Sequence, residues 1–308
     1  MVHTAEDLLT EIRDLIAAHA RPDLRTPIDG LLLSRVAVPS AGPDYSLTEP
    51  LLVVMAQGGK RLMLGETVHE YRAGQCLVVT ASLPVTGYYL DTAADTPALG
   101  MALVLHPAAV AGLALRARLA RAPRPAPDPM AIATAPAGAD LLDAVARMLR
   151  LLDRPQDAAV LGPLVEQEIL WRLITGPLGG TVRQIGIADS NLTHIDAAIG
   201  WIRDHYAEPL RIDELARLAG MSSSAFHRRF RAITAMSPLQ FQKRIRLQQA
   251  RSLLVAHPGD VAGVGHSVGY DSPSQFNREY RRLFGNPPGQ DASRLRGSAE
   301  PPELAALA

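Results

Sequence analysis

Two stretches of the chain carry similar sets of polar side chains fifty positions apart. The first set is Ser224, His227 and Arg228, and the second is Ser274, Asn277 and Arg278. Arginine can donate two hydrogen bonds to guanine, and asparagine can pair bidentately with adenine. Both sets therefore have the chemistry to read base edges in DNA. The alternative for each set is a solvated helix surface, and for Arg278 an ion pair with Glu279 or Asp271.

Each set lies within a longer stretch that predicts two helices and a tight turn. These stretches are "RIDELARLAGMSSSAFHRRFRAI" and "DVAGVGHSVGYDSPSQFNREYRRLF". Gly220 and Gly269 stand where such a turn needs a positive φ, and Ser222 and Ser272 are suited to cap the second helix. Two helices joined in this way make a helix-turn-helix. One such pair is common in any α-protein, but its duplication in one chain is a specific signal.

A long helix starting at Pro238, "SPLQFQKRIRLQQARSLLVAH", is predicted between the two units. Sixteen residues of helix span roughly 24 Å. With the width of each unit added, the two second helices are expected about one DNA turn apart, roughly 34 Å. They are therefore expected to enter successive major grooves.

The remaining side chains of this region divide into basic and apolar groups. The basic candidates for phosphate contacts are Arg229, Arg231, Lys243, Arg244, Arg281 and Arg282. Phosphate contacts add affinity but carry no sequence information. The predicted core positions are Phe226, Phe230, Leu239, Ile245, Leu247, Leu253, Phe276 and Phe284.

Charge is distributed unevenly along a chain whose formal net charge is zero. Residues 1–189 hold 16 Lys/Arg and 20 Asp/Glu, a net of −4, whereas residues 190–297 hold 15 and 9, a net of +6. A basic third joined to a mildly acidic remainder suggests that one part meets a polyanion. The acidic N-terminus, the single cysteine Cys76 and the lack of a long apolar run favour a cytoplasmic protein without a membrane span.

Short apolar runs separated by turn signals between about Gly30 and Leu105 predict an antiparallel sandwich or small barrel. Consecutive hairpins are expected, with Gly58-Gly59 turning one pair of strands and residues 64–66 the next. An amphipathic helix capped by Thr4 precedes these strands. The expected fold class is thus α+β and multidomain, with a β-rich N-terminal part and an all-α C-terminal part.

Alanine- and proline-rich segments suggest the domain boundaries. We expect a sensing domain at 1–120, a linker at 121–138, amphipathic helices at 139–177, a second linker at 178–191, a DNA-binding domain at 192–297 and a tail at 298–308. The stripe of Leu161, Leu164, Val165, Glu168, Ile169 and Arg172 offers a helix–helix surface. Packing within the domain is the first interpretation of this stripe, and a homodimer interface is the second.

The N-terminal part has few residues suited to bind a metal. His69 and His106 are isolated, so neither a metal nor any other cofactor is expected. Cys76 starts an apolar strand and is expected to be a small buried hydrophobe, with redox sensing as the alternative. The candidates for lining an effector pocket are Tyr45, Arg61, His69, Tyr88 and Tyr89.

"VGYDSPSQFNREYRRLFGNPP" and "SPLQFQKRIRLQQARSLL" resemble the second helix-turn-helix and the linking helix of the AraC/XylS transcriptional regulators. The β-rich stretch "LLVVMAQGGKRLMLGETVHEYRAGQCLVVT" is similar to the cupin-like N-terminal domain of one branch. The chain departs from the family pattern at Gly265, at Ala235, where glycine is usual, and at Asp291-Ala292, where an aromatic residue followed by arginine is common. The resemblance implies base contacts from the two polar sets, an unknown small-molecule effector and RNA polymerase as a partner.

These observations favour an effector-responsive, sequence-specific regulator that binds double-stranded DNA and is not an enzyme. One alternative is a cupin-like enzyme or small-molecule-binding protein with a helical appendage. Another is a protein–protein adaptor that acts through the helices at 139–177. Both alternatives leave the duplicated basic units unexplained.

Overall fold

The computed structural model describes residues 4–37, 43–116, 131–185, 191–257 and 259–297. The chain divides into two compact units, with the boundary between Thr193 and His194. Among the described residues, no helix combines the length and the apolar character that crossing a membrane requires.

The first unit combines antiparallel strands with flanking helices. Its strands are β1 (Leu31–Val36), β2 (Asp44–Leu47), β3 (Leu51–Gln57), β4 (Gly59–Leu64), β5 (Thr67–Arg72), β6 (Gln75–Val79), β7 (Pro84–Leu90), β8 (Ala98–Val104) and β9 (Ile132–Pro136). Its helices are α1 (Ala5–His19), α2 (Pro107–Arg116), α3 (Ala139–Arg150), α4 (Pro155–Thr175) and α5 (Gly179–Ile185), with a 3-10 turn at Leu151–Asp153. Thr4 caps α1 through a capping box with Asp7, as expected.

The described strands form two open antiparallel sheets, ordered β1-β8-β3-β6-β9 and β2-β7-β4-β5. This confirms the expected β-rich fold, in the form of a sandwich. The predicted hairpin at residues 64–66 joins β4 to β5. The hairpin predicted at Gly58-Gly59 is wrong, because β3 and β4 belong to different sheets. Gly58, with φ +70°, turns the chain from one sheet into the other, close to the Leu90 carbonyl and Ala98.

Both predicted linkers contain regular structure. Within 121–138, residues 132–136 form β9, which pairs with β6 at the edge of the five-stranded sheet. Within 178–191, residues 179–185 form α5, which Arg183 ties to the Ile174 carbonyl through a 2.7 Å hydrogen bond. The linker assignment is therefore wrong for both segments. Its remaining parts at 121–130 and 186–190, and the predicted tail at 298–308, lie outside the described residues.

Helix α4 packs within the first unit along only part of its length. Its C-terminal half buries Ile169, a residue of the predicted stripe, together with Leu170, Leu173 and Ile174. In its N-terminal half, however, Leu161 is 43% and Leu164 is 61% exposed. Of the predicted stripe, Ile169 is thus buried, whereas Leu161 and Leu164 are open to solvent.

The second unit is helical throughout its described residues. Its helices are α6 (Asn191–Asp204), α7 (Ile212–Leu218), α8 (Ser223–Thr234), α9 (Pro238–Ala256), α10 (Val261–Ser267), α11 (Pro273–Phe284) and α12 (Pro288–Gly297). The four phenylalanines predicted to be core, Phe226, Phe230, Phe276 and Phe284, are buried. The core prediction is wrong for Leu239, which is 53% exposed.

Two of the departures from the family pattern have a local structural role. Gly265 lets α10 approach α11 closely, since a Cβ at this position would lie 3.0 Å from the Phe276 ring. Ala235 adopts φ +56° after α8, a left-handed conformation that glycine adopts without steric cost. The turn that follows α8 therefore has a left-handed residue, although alanine stands there instead of glycine.

Candidate nucleic-acid interface

The two helix-turn-helix units have the predicted turns and caps. Gly220 and Gly269 adopt φ values of +62° and +91°. The Ser222 hydroxyl accepts a 3.4 Å hydrogen bond from the Ala225 N–H at the start of α8. The Ser272 hydroxyl accepts a 3.3 Å bond from the Gln275 N–H at the start of α11. Each second helix therefore begins at a defined residue, which sets the side chains that it presents.

Helices α8 and α11 each separate an apolar face from a polar face. Phe226 and Phe230 of α8, and Phe276 and Tyr280 of α11, are buried four residues apart. On the opposite faces, the positions three, four and seven residues apart are exposed: Ser224, His227, Arg228 and Arg231 in α8, and Ser274, Asn277, Arg278 and Arg281 in α11. The structure thus brings each predicted base-reading set onto one solvent-facing surface.

The exposed arginines of these faces are available to a ligand. In the part of the chain that the structure describes, no ion pair or side-chain hydrogen bond engages Arg228, Arg231, Arg278, Arg281 or Arg282. A shallow concave surface next to α11 is lined by Asn277, Arg278, Arg281, Arg282, Gly285 and Pro287. The residues of the second unit that are predicted to read bases and those predicted to bind phosphate therefore share one open, positively charged surface.

Three other candidates for phosphate contacts are less accessible. Lys243 of α9 donates a 2.8 Å hydrogen bond to the Glu279 carboxylate, so a phosphate would have to compete with this ion pair. Arg229 is half-buried, with Nη1 3.7 Å from the Met221 sulfur. Arg244 is also half-buried.

Arg246 of α9 connects the two helix-turn-helix units. Its Nη1 donates a 2.7 Å hydrogen bond to the Gly269 carbonyl in the turn of the second unit. Its Nε donates to the Tyr206 carbonyl at 2.6 Å, and its Nη2 to the Ala207 and Glu208 carbonyls at 3.1 and 3.0 Å. The loop at 206–208 leads from α6 toward α7, so one planar guanidinium holds both units to α9.

The turn at Gly269 is built around this arginine. A Cβ at residue 269 would collide with the Ala207 carbonyl and lie 2.8 Å from the Arg246 guanidinium. The sequence predicted the need for a positive φ at Gly269, but it did not indicate this close approach. The role of Arg246 was also missed, because its position among other basic residues of α9 suggested no difference from them.

A carboxylate on the inner side of α11 fixes the orientation of that helix. Glu279 accepts hydrogen bonds from Lys243 at 2.8 Å, from the Tyr270 hydroxyl at 2.9 Å and from Gln275 at 3.1 Å. Burial disfavours its charged form, but the bonds from Lys243, Gln275 and Tyr270 outweigh burial and lower the pKa of Glu279. The negative charge of Glu279 therefore binds α11 to Lys243 of α9 and to Tyr270 in the turn before α11.

Asp291 plays a similar part for the last described helix, α12. Its fully buried carboxylate accepts hydrogen bonds from Arg251 at 2.8 Å, Tyr280 at 3.0 Å and Arg294 at 3.1 Å. Burial opposes ionisation, but these partners, Arg251 foremost, lower the pKa of Asp291. The departure from the family pattern at this position thus provides a buried anchor between α9, α11 and α12.

The structure brings two of the predicted effector-pocket residues of the first unit, Arg61 and Tyr88, together but places His69 on the other face of the sheet. Arg61 of β4 lies opposite Glu70 of β5 and Tyr88 of β7, on the exposed face of the four-stranded sheet. Its Nε donates a 2.6 Å hydrogen bond to Glu70. His69 lies opposite Leu62 on the other face, where burial lowers its pKa. A pocket that Arg61, His69 and Tyr88 share is therefore not formed.

Lys60 is a buried charged residue on the inner face of this sheet, where it is 1% exposed. Its ammonium lies 4.8 Å from the centre of the Tyr89 ring and 3.9 Å from the Asp44 carboxylate. Tyr89, a predicted pocket residue, thus lies beside it, whereas Tyr45 is half-buried on the neighbouring strand β2. Strand alternation, which places residues 60 and 62 on one face, was the signal that could have predicted this burial.

Cys76 is buried in β6, as expected of a small apolar residue. Burial raises the pKa of its thiol to about 11, and its sulfur lies 3.4 Å from the Ala135 carbonyl. Among the described residues, no group of three or more His, Cys, Asp or Glu side chains is arranged to hold a metal.

Two helix-turn-helix units in one helical unit, together with a β-sandwich unit, define a two-part helix-turn-helix protein. Residues 27–181 match the family model of the AraC-type transcriptional regulator N-terminus, and residues 215–294 match a model of the helix-turn-helix domain. The chain belongs to the family of AraC-type transcriptional regulators.

Individual relatives match only part of the chain. It is 32% identical over 110 residues to the HTH-type transcriptional activator RhaS of Escherichia fergusonii, covering 34% of this chain and 38% of that protein. It is 27% identical over 152 residues to the HTH-type transcriptional regulator ArgR of Pseudomonas aeruginosa, covering 49% and 46%. The chain thus spans less than half the length of these curated relatives.

A similar fold is present in a crystal structure of unsaturated fatty acid bound wild-type ToxT from Vibrio cholerae. The TM-score is 0.53, over 90% of this chain and 100% of that chain, at 9% sequence identity. At this identity the similarity shows a shared fold.

Arg278 and Arg282 test the separation between base reading and phosphate binding. We expect Arg278→Ala to cost about 1–3 kcal/mol on the specific site and to relax the base preference there. Arg282→Ala should weaken binding to all sequences alike and lower the salt slope by about one. Fluorescence anisotropy with specific and random duplexes at several salt concentrations measures both effects. If Arg278→Ala weakens binding to the specific and the random duplex equally, Arg278 does not read the base sequence.

Arg246→Lys tests the connection through α9. Lysine keeps the charge but lacks the planar fork, so most of the four carbonyls lose their donor. We expect the second unit to lose on the order of 2 kcal/mol of stability or more. Chemical denaturation followed by tryptophan fluorescence in a Trp171→Phe background measures this. Trp201 is then the one tryptophan of the chain, and it stacks on His205 beside the loop at 206–208. Arg231→Lys, an exposed control, should unfold like the parent; equal stability of both variants would contradict the role of Arg246.

Proposed function

We propose that this protein is a regulator of transcription that binds duplex DNA in the cytoplasm and is not an enzyme. The observation that supports this most is the presence of two exposed polar faces, on α8 and α11, at equivalent positions fifty residues apart. Ser224, His227 and Arg228 would read one half-site, and Ser274, Asn277 and Arg278 the other. The exposed arginines at 231, 281 and 282 would contact phosphates.

Helix α9 sets the separation between the two reading helices. Its 19 residues span about 28 Å. Half-sites in successive major grooves are centred about 34 Å apart, so the length of α9 fits this spacing once the helix diameters are included. Family membership favours two further partners, RNA polymerase and a small-molecule effector that adjusts DNA binding.

Selection of bound duplexes from a randomised DNA pool by the purified protein tests this proposal. The expected result is a motif with two half-sites about one helical turn apart. A variant with Asn277→Ala and Arg278→Ala should select only the half-site read by α8. Recovery of no motif, with weak binding that disappears as the salt concentration rises, would contradict sequence-specific recognition.

We also propose that two copies associate through the open end of α4. Val160, Leu161 and Leu164 are 68%, 43% and 61% exposed there, which is an unusual concentration of apolar surface on one helix. A dimer would cover this surface and present four reading helices to DNA.

Leu164→Asp tests this interface. A buried charge without a partner is costly, so the variant should be a monomer at concentrations where the parent is a dimer. Sedimentation velocity measures the change, and Val68→Asp, at a half-exposed residue of β5, is the control that should leave association unchanged. A parent that sediments as a monomer at all concentrations would contradict the dimer.

A further inference from the structure

A cleft of about 510 Å³ lies in the first unit, outside the sandwich interior. It is formed by the loop before β1, the end of β8, the 3-10 turn after α3 and one face of α4. Apolar side chains line most of it, including Ile28, Leu103, Met148 and Leu151. This volume lies in the range of small-molecule sites, about 300–1,000 Å³.

Helix α4 is shaped by its sequence to leave this space open. The face of α4 that lines the cleft is formed by residues spaced three, one and three positions apart, namely Ala159, Gly162, Pro163 and Glu166. Nothing lies within 4 Å of the position that a Cβ on Gly162 would occupy. Because Pro163 has no N–H, it cannot donate the helical hydrogen bond to the Ala159 carbonyl. The Ala159 carbonyl, which receives no hydrogen bond from residue 163, therefore adjoins the cleft.

The other polar groups at the cleft are mainly acceptors. Glu166 is half-buried, and within the described residues no side-chain hydrogen bond or ion pair engages its carboxylate. Asp29 provides a second carboxylate and His106 an imidazole. Burial raises the pKa of Glu166, His106 opposes this, and the negative charge of Asp29 adds to it. Two carboxylates and a carbonyl against an apolar wall suit a ligand that donates hydrogen bonds and carries positive charge.

The wall that carries Asp29 is held in place by its own hydrogen bonds. The Thr26 hydroxyl donates to the Ile28 carbonyl at 3.1 Å and to the Leu31 carbonyl at 2.9 Å. The Val104 N–H donates to the Gly30 carbonyl at 2.9 Å. The loop is therefore preorganised, so that a ligand would not have to order it.

We propose that this cleft binds an organic cation, an apolar body that carries one ammonium group, with Glu166 as its main partner. The inference rests on the proposed function in one respect, that such a ligand would be the effector of the first unit. Binding itself does not depend on DNA.

A matched series of three probes tests the site by isothermal titration calorimetry on the full chain without DNA. The probes are 4-phenylbutylamine, the neutral 4-phenylbutanol and the anionic 4-phenylbutyrate. A hydrogen bond to a charged group contributes enough to favour the amine over the alcohol about ten- to a hundredfold. Glu166→Gln should remove this preference, whereas Asp157→Asn, which removes a charge from α4 outside the cleft, should keep it.

Gly162→Leu provides a second, independent variant. Leucine has a higher helix propensity than glycine and enters open space, so the variant should fold and fill the cleft. Loss of amine binding in this variant is expected. Three results would each overturn the proposal. The first is that the amine binds no more tightly than the alcohol, and the second is that the preference for the amine survives Glu166→Gln. The third is that the amine binds Gly162→Leu as tightly as the parent. None of these outcomes changes the duplex selection, so failure of the site and failure of DNA recognition are distinguishable.

Discussion

The arrangement of the DNA-binding unit depends on the guanidinium of Arg246. Four backbone carbonyls, three from the loop at 206–208 and one from the turn at Gly269, receive their hydrogen bonds from this one side chain. Neither segment is part of a regular helix that would satisfy those carbonyls, and unsatisfied buried carbonyls are costly. Gln242 adds a 2.7 Å bond to the Glu208 carbonyl from the previous turn of α9. The two helix-turn-helix units are therefore held to one helix by polar contacts as well as by packing.

Charged residues in this unit serve two purposes that depend on the helix face that they occupy. Arg246, Glu279 and Asp291 point inward and are fully engaged with partners of the same unit. Arg228, Arg278 and Arg282 point outward and leave their donors to solvent. The inward charges orient the helices, so that the outward ones lie at defined positions before any ligand arrives. This preorganisation reduces the entropy that binding would otherwise cost.

Repetition made the second unit predictable from sequence. Paired glycines, serine caps and phenylalanines at helical spacing predict the turns, the helix starts and the buried faces, and the structure confirms them. The part played by Arg246 could not be predicted, because hydrogen bonds to distant carbonyls leave no periodic pattern. The prediction of Leu239 as a core residue rests on its apolar character alone, although exposed leucines are common.

The first unit was less predictable because alternation of apolar and polar residues indicates strands but not their partners. Gly58 was interpreted as a hairpin, yet it carries the chain between sheets, and β9 was hidden in an alanine- and proline-rich stretch. Because β9 pairs with β6, the described residues on both sides of 117–130 belong to the same unit. Doubling the length of a connection between two fixed points costs only about 0.6 kcal/mol of loop-closure entropy. Insertions or deletions there can therefore accumulate among homologues without changing the covalent spacing between the two units.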